Sequence, residues 1–130
     1  MPYLLKVDQN AVYGKKKYVN EKGNTECVEF IRQTTDAPAT TKWVRGRLVR
    51  SFKPGELASG TAIATFDSKG KYPTDKLGKH AAIYLRTTDE GIEVLDQWDR
   101  QGEVRKRVIR FNRKPGTSRS DDADTFYVIE

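Results

Sequence analysis

Cysteine and histidine are almost missing from this chain: Cys27 and His80 are its only representatives of each. One cysteine cannot close an internal disulfide, and one cysteine with one histidine cannot complete the usual Cys-rich zinc site, so a stapled scaffold and a zinc finger are both excluded. No metal and no cofactor is implied. Long apolar runs are also missing, and without a stretch of about 18 or more there is no candidate membrane-spanning helix. The start, Met1-Pro2-Tyr3-Leu4-Leu5-Lys6, lacks the basic head and long apolar body of a signal peptide. The expectation is therefore a protein made in the cytoplasm and not routed by a Sec signal. Internal repeats are absent too. With 130 residues and 36% hydrophobic content, the chain suffices for one core, and a single domain over 1–130 is expected.

Charge, by contrast, is plentiful and unbalanced. A formal net charge of +6 favours anionic partners, which include nucleic acid, acidic lipid and carboxylate-bearing cell-wall peptides, without choosing among them. Lys15–Lys17, Arg45–Arg50 and Arg105–Arg107 are the densest basic stretches. Alternating charge within strands usually marks a solvated face, and a nucleic-acid footprint needs a fold-level reader as well. Nucleic acid and membrane are thus not the favoured partners.

Along the chain, residues 1–23 show no sustained helical period, and Tyr3, Leu4, Leu5 and Val7 read as a short strand or cover. Asn24 to Gln33 reads as a helix with Asn24 or Thr25 as its N-cap and Cys27 in the first turn. Cys27, Phe30 and Ile31 fall at i, i+3 and i+4, so the thiol shares the buried helical face. Pro38 pushes the preceding residue out of helical geometry and closes this region. A further helical turn is expected over Lys42–Arg45, closed by Gly46. Strands are expected over Arg47–Phe52, Ala62–Phe66, Val104–Phe111 and Thr125–Ile129, with a polar loop over Asp67–Lys79 forming a wall of a cleft. Helix first and antiparallel sheet after it is an α+β arrangement, with the Cys-bearing helix on one sheet face. The core list is Val28, Phe30, Ile31, Ile63, Phe66, Ile83, Leu85, Val94, Leu95, Val108, Ile109, Phe126 and Val128.

The centre of the chain is a hairpin. Two apolar runs, Gly78–Leu85 and Ile92–Trp98, flank the turn formers Thr87–Gly91. If Arg86 opposes Ile92, then Ala82 opposes Asp96, and His80 lies diagonal to Asp96 on the same face, about 7 to 8 Å away at the backbone. Side-chain parity puts Gln97 and Asp99 on the other face. Acyl transfer needs a nucleophile that is a thiolate near neutral pH, a base within reach and a group that fixes the base's tautomer. Cys27, His80 and Asp96 can fill those roles. A helix N-terminus and an imidazolium both lower a thiol's pKa, and Glu26 and Glu29 oppose the shift, so activation rests mainly on His80. Each residue alone has an ordinary reading, the Cys as a small hydrophobe and the His as a satisfied polar group. Their ordered occurrence argues for a site. Trp43, Tyr72, Tyr84 and Trp98 divide between cleft and core, with core the better default for aromatics.

The ordered set of a first-turn helical cysteine, Trp43-x-x-Gly46, Gly60-Thr61-Ala62-Ile63-Ala64-Thr65-Phe66, His80-Ala-Ala-Ile-Tyr and Leu95-Asp96-Gln97-Trp98 resembles the CHAP amidohydrolase/peptidase domains. These belong to the papain-like, NlpC-type cell-wall hydrolases. Within that superfamily the chain looks like small bacterial single-domain proteins with a "GTAIATF" strand, some of them associated with type VI secretion as amidase effectors. Three departures stand out: Thr61 replaces the usual Asp, Lys79 separates Gly78 from His80, and Glu26 stands where many CHAP domains have a Gln that helps stabilise the oxyanion. The resemblance implies a papain-like α+β fold with Cys27, His80 and Asp96 as catalytic residues. It implies as substrate an amide bond in peptidoglycan peptides, cut by an endopeptidase or amidase. It further implies export by a route other than Sec, action in the periplasm or cell wall, and a cognate inhibitor, or immunity, protein. The alternative is a catalytically inactive basic module on the same scaffold that binds nucleic acid or a protein partner.

Overall fold

A computed structural model describes residues 2–130; Met1 of the chain start read above lies outside the described residues. Six strands, β1 (Arg45–Leu48), β2 (Thr61–Thr65), β3 (Ala81–Thr87), β4 (Gly91–Asp96), β5 (Arg105–Arg110) and β6 (Phe126–Ile129), form one antiparallel sheet in the order β1-β6-β2-β3-β4-β5. The near-continuous apolar stretches sit where both faces are covered: every residue of β2 is buried, as are Ala81 to Leu85 of β3. Strands buried on both faces read as runs rather than alternations.

Two apolar layers sandwich this sheet. On one face Ala62, Ala64, Ala81, Ile83, Leu85 and Leu95 pack with Phe30, Ile31, Trp43, Val12 and Tyr18. On the other, Ile63, Ala82, Tyr84, Ile92, Val94, Ile109 and Phe126 pack with Val49 and Ala123. The small alanines of β2 and β3 make room for helix α2 (Cys27–Thr34), which lies against β3. Phe30 and Ile31 are fully buried there, each contributing about 1.5–3 kcal/mol. At the helix end, the hydroxyls of Thr34 and Thr35 donate to the carbonyls of Phe30 and Ile31 at 2.6 and 2.7 Å, and the Ala37 N–H donates to Thr35 Oγ1. The turn before Pro38 is thus satisfied internally.

The structure revises several expectations in detail. Helix α2 begins at Cys27, not Asn24, and its N-cap is Glu26, which makes no side-chain capping bond. Thr25 instead donates to the carbonyls of Trp98 and Asp99 at 3.2 and 3.4 Å, trading a local cap for a long-range tie. The expected helical turn is a 3-10 turn over Thr40–Lys42, and Gly46 lies inside β1. A Cβ at Gly46 would come within 2.7 Å of the Val128 carbonyl oxygen, so the glycine serves strand contact and not helix termination. A four-residue helix α1, Gln9–Val12, capped by Asp8, breaks the N-terminal segment, and Leu4 bridges to Thr61. Val108 is 39% exposed and leaves the core, because on edge strand β5 it is Ile109 that faces inward.

The β3–β4 register was half legible. Tyr84 opposes Val94 and Ile83 opposes Leu95, as expected, but at the turn Arg86 faces Glu93 and Thr87 faces Ile92. An irregularity between Tyr84 and Arg86 absorbs the one-residue difference. A bulge inserts one residue without disturbing the pairing beyond it.

Candidate active site

His80 directly precedes β3, and Asp96 ends β4. By parity both share the sheet face of Ala82, Tyr84, Ile92 and Val94, the face opposite α2. Their side chains meet: His80 Nε2 donates to Asp96 Oδ2 at 2.7 Å, with both residues buried. The carboxylate only accepts, which assigns the Nε2 proton and leaves Nδ1 for another partner. Cys27 is the neighbour on that side: it and His80 line the same cavity, and each shifts the proton affinity of the other. The sulfur stands at the N-terminal end of α2, which packs against β3. The thiol therefore sits at the end of the sheet, where a helix on one face can reach an imidazole on the other.

The approach of helix end to strand end is held by side-chain bonds to backbone. Besides Thr25, buried Gln97 donates from Nε2 to the carbonyls of Tyr18 and Glu26 at 2.7 and 2.8 Å. The His80 N–H donates to Thr65 Oγ1 at 3.1 Å, while the Thr65 N–H donates to the His80 carbonyl at 3.0 Å. Gly78, at φ +116°, lets the 118–120 segment pack close by: a Cβ there would lie 2.4 Å from Ser118 Oγ.

Burial acts against charge on both partners of the Cys27–His80 pair. It pushes the thiol up, yet the hydrogen bond and charge of His80, the Tyr72 hydroxyl and the Ala81 backbone together bring Cys27 below the usual thiol range. Burial likewise opposes protonation of His80, but its bonds to Asp96 and Cys27 and their charges raise it to about 9. Both shifts favour a thiolate–imidazolium pair. Tyr72 completes the group: its hydroxyl is 3.5 Å from Cys27 Sγ, and burial together with the neighbouring sulfur raises its pKa, keeping it a proton donor.

A cavity of about 670 Å³ opens onto these atoms, lined among others by Glu26, Cys27, Tyr72, Lys79, His80 and Trp98. Its far wall, Asp67 to Thr74, belongs to the loop between β2 and β3, in agreement with the wall expected there. The four aromatics divide: Trp43 and Tyr84 are buried in the core, whereas Tyr72 and Trp98 line the cavity. Trp43 still serves the site, since its ring meets that of Tyr72 edge-on at 5.0 Å. Among the described residues no cluster of three or more His, Cys, Asp or Glu side chains is placed to hold a metal ion.

The family model described as "Domesticated amidase effector 2" matches residues 5–129. The chain belongs to this amidase effector family. It is 33% identical over 140 aligned positions to the "Type VI secretion amidase effector 2 protein" of Salmonella typhi, spanning 100% of both chains. It is 36% identical over 110 positions to "Domesticated amidase effector 2" of Ixodes scapularis, covering 81% of this chain and 70% of that one. The solved structure of "Type 6 secretion amidase effector 2 (Tae2)" superposes with a TM-score of 0.79 at 30% identity, over 97% of this chain and 93% of the other. The papain-like, amidase-effector resemblance read from the ordered motifs therefore holds for fold and for family.

In this amidase effector chain, two residues at the site escaped sequence reasoning. Tyr72 was read only as a cleft or core aromatic, and nothing local marks a loop tyrosine as a neighbour of a thiol 45 positions away. Arg107 was counted with a basic surface stretch, yet its Nε donates to Asp96 Oδ2 at 2.8 Å. Its parity with buried Ile109 on β5 was the available signal. The other basic stretches follow the solvated reading: Arg47 pairs with Glu56, Arg50 with Asp124, and Arg105 with Glu103.

Proposed function

We propose that this chain, acting as one unit over residues 1–130, is a cysteine hydrolase of peptidoglycan amide bonds, with Cys27 as nucleophile, His80 as acid–base and Asp96 as the group that orients His80. The observation that carries the reading is that Cys27 and His80 line one cavity while buried Asp96 bonds His80 Nε2 from behind at 2.7 Å, in a member of an amidase effector family. In the reaction, the Cys27 thiolate attacks the amide carbonyl carbon, forming a C–S bond and a tetrahedral oxyanion. Imidazolium then hands its proton to the leaving nitrogen as the C–N bond breaks. Neutral His80 then takes a proton from water as its oxygen attacks the thioester carbonyl carbon; the C–S bond breaks, the carboxylic product leaves, and the thiolate–imidazolium pair is restored.

Two groups suit the oxyanion. The Cys27 backbone N–H is one of the unpaired donors of the first helical turn, and the Tyr72 hydroxyl lies beside the sulfur on the cavity side. Tyr72 takes the part that a Gln plays in many CHAP domains, where this chain has Glu26.

The names of the relatives support delivery by type VI secretion. The site of action is then the cell wall, in the periplasm of a recipient cell, and the producer carries an immunity protein that blocks the cleft. Digestion of purified sacculi followed by chromatography and mass spectrometry of the soluble products tests the reading. The wild-type protein should release muropeptides with newly cut amide bonds, and Cys27→Ala should release none. Equal release by both proteins, or intact sacculi together with salt-dependent nucleic-acid binding, would overturn it.

A further inference from the structure

The carboxylate of Asp96 is buried completely, and one of its oxygens carries all of its side-chain bonds. Oδ2 accepts from His80 Nε2 at 2.7 Å and from Arg107 Nε at 2.8 Å, while Oδ1 has no hydrogen-bond partner. A carboxylate held at a single oxygen by imidazole alone could rotate and hand His80 its other oxygen. The second donor removes that freedom, because a guanidinium nitrogen meets a carboxylate oxygen along a defined direction.

Arg107 is itself fixed at three points. Its guanidinium carbon lies 5.1 Å from the centre of the Trp98 ring, and that ring meets the imidazole of His80 edge-on at 6.2 Å. Trp98 thus contacts both Asp96 partners. The far nitrogens of the fork reach the turn over Arg119–Asp121: Nη2 donates to the Ser120 carbonyl at 3.5 Å, and Nη1 faces Asp121 at 3.6 Å. Trp98 apart, this fixing comes from strand β5 and the 119–121 turn, which do not line the cavity that holds Cys27. The 119–121 turn also meets the segment that leads to His80, through the Ser120 hydroxyl bond to the Lys79 carbonyl and the Arg119 N–H bond to the Leu77 carbonyl at 2.9 Å.

We infer that Arg107 is a positioning residue for the amide hydrolysis proposed above: it locks Asp96 in the orientation that aligns His80, and it divides the carboxylate's charge between guanidinium and imidazole. The division has a chemical purpose. Were Asp96 to serve the imidazole alone, the imidazolium would be held more tightly and would be a weaker acid toward the leaving amine. The groups facing His80 are Asp96 from β4, Arg107 from β5 through Asp96, Cys27 from α2 with Tyr72 behind it, and Asp121, which lines with Arg107 a smaller cavity that also borders His80. Glu26, Lys79 and Asp99 line the cavity that holds Cys27. Of these, Arg107 is the group whose removal strips a positive charge from Asp96 and leaves the sulfur contacts in place.

The test uses the chain's single histidine, whose ring protons give one isolated imidazole signal. In Arg107→Met, which keeps the apolar stem over Trp98, kcat on sacculi or a muropeptide should fall roughly 10- to 100-fold at nearly constant KM, the scale seen when an outer partner of a working histidine is lost. The alkaline limb of the pH–rate profile and the His80 titration by NMR should both move upward. Arg107→Lys should restore the His80 midpoint through its charge while leaving kcat depressed, because it lacks the fork. A wild-type profile in Arg107→Met, or a kcat loss with an unmoved His80 titration, overturns the inference. Should the Met variant fail to fold, Arg107→Lys decides: wild-type kcat overturns the inference, and a depressed kcat at an unmoved midpoint upholds it. Activity persisting in Cys27→Ala would sink the nucleophile reading instead, and the titration of His80 would still report on Arg107.

Discussion

The two arms of the proposed site are built differently. The base arm, His80 and Asp96, stands on adjacent paired strands and is buried, with the Asp96 side chain held by short, charge-assisted bonds. The nucleophile arm, Cys27 and Tyr72, stands on the first residue of an eight-residue helix and on a loop, and it borders the open cavity. What holds it is a set of side-chain bonds to backbone, from Thr25 and Gln97, together with a 3.5 Å contact between sulfur and hydroxyl. The base arm is thereby suited to setting proton affinities, which need fixed dipoles in a low-dielectric surrounding. The nucleophile arm is suited to meeting substrate, which needs access.

Breaking the base arm should have the largest effect. Asp96→Asn should cost on the order of 10⁴ in kcat, as when the orienting acid of a catalytic triad becomes an amide and favours the wrong imidazole tautomer. Because it also leaves Arg107 without its buried counter-charge, it should lower stability by about 3–5 kcal/mol. A steady-state assay and a denaturant melt measure the two losses; a larger kcat effect from Asp99→Asn would assign the orienting role elsewhere.

Tyr72→Phe attacks the other arm and should cost about 10²–10³ in kcat, the scale for one oxyanion donor. Alkylation of Cys27 by iodoacetamide forms no oxyanion, so its rate should change far less. Equal losses in both assays would mean that the hydroxyl only tunes the thiol. Retention of the ring keeps the contact with Trp43, so the melting temperature should hold.

The pH dependence sharpens the comparison by joining the arms. The lowered Cys27 and the raised His80 give an ion pair over a window that ends, on the alkaline side, near pH 9. His80's folded value lies above its ordinary 6.5, so the stability it contributes is fully present below about 6.5 and is lost as pH rises through about 9. Cys27 has the opposite sign, its contribution being lost as pH falls through the lowered thiol value. Alkylation of the folded protein should therefore show an inflection below the ordinary thiol range, moved upward in His80→Ala. Identical profiles would dissolve the ion pair. At the small end, Lys6→Ala removes an exposed bond to Asp36 remote from both arms and should shift stability by no more than about 0.5 kcal/mol, with activity unchanged.

The difference between the arms also separates what could be read in one dimension from what could not. Apolar runs bounded by turn formers placed the buried strands β2, β3 and β4, and a 3.6-residue period placed the helix that bears Cys27, because both signals are local properties of the chain. The His80–Asp96 pairing followed too, since a hairpin couples residues across a short turn. The bulge at the turn went unseen, having no local signature in Tyr84-Leu85-Arg86. Val108 was placed in the core because an edge strand and a central strand look alike until the neighbours are known.

What the sequence determined by itself is the inventory and its order: one thiol at a helix start, one imidazole entering a strand, one acid ending the next, and no second cysteine or histidine to offer other chemistry. What only the tertiary structure decided is how the helix end meets the strand end. That meeting depends on Thr25 and Gln97 reaching backbone more than seventy residues away, on Tyr72 arriving from a loop, and on Arg107 turning inward from an edge strand. The reason is physical. Local patterning reports which face of an element is buried, whereas contacts between elements far apart in the chain depend on the packing that brings them together, and no period in the sequence encodes it.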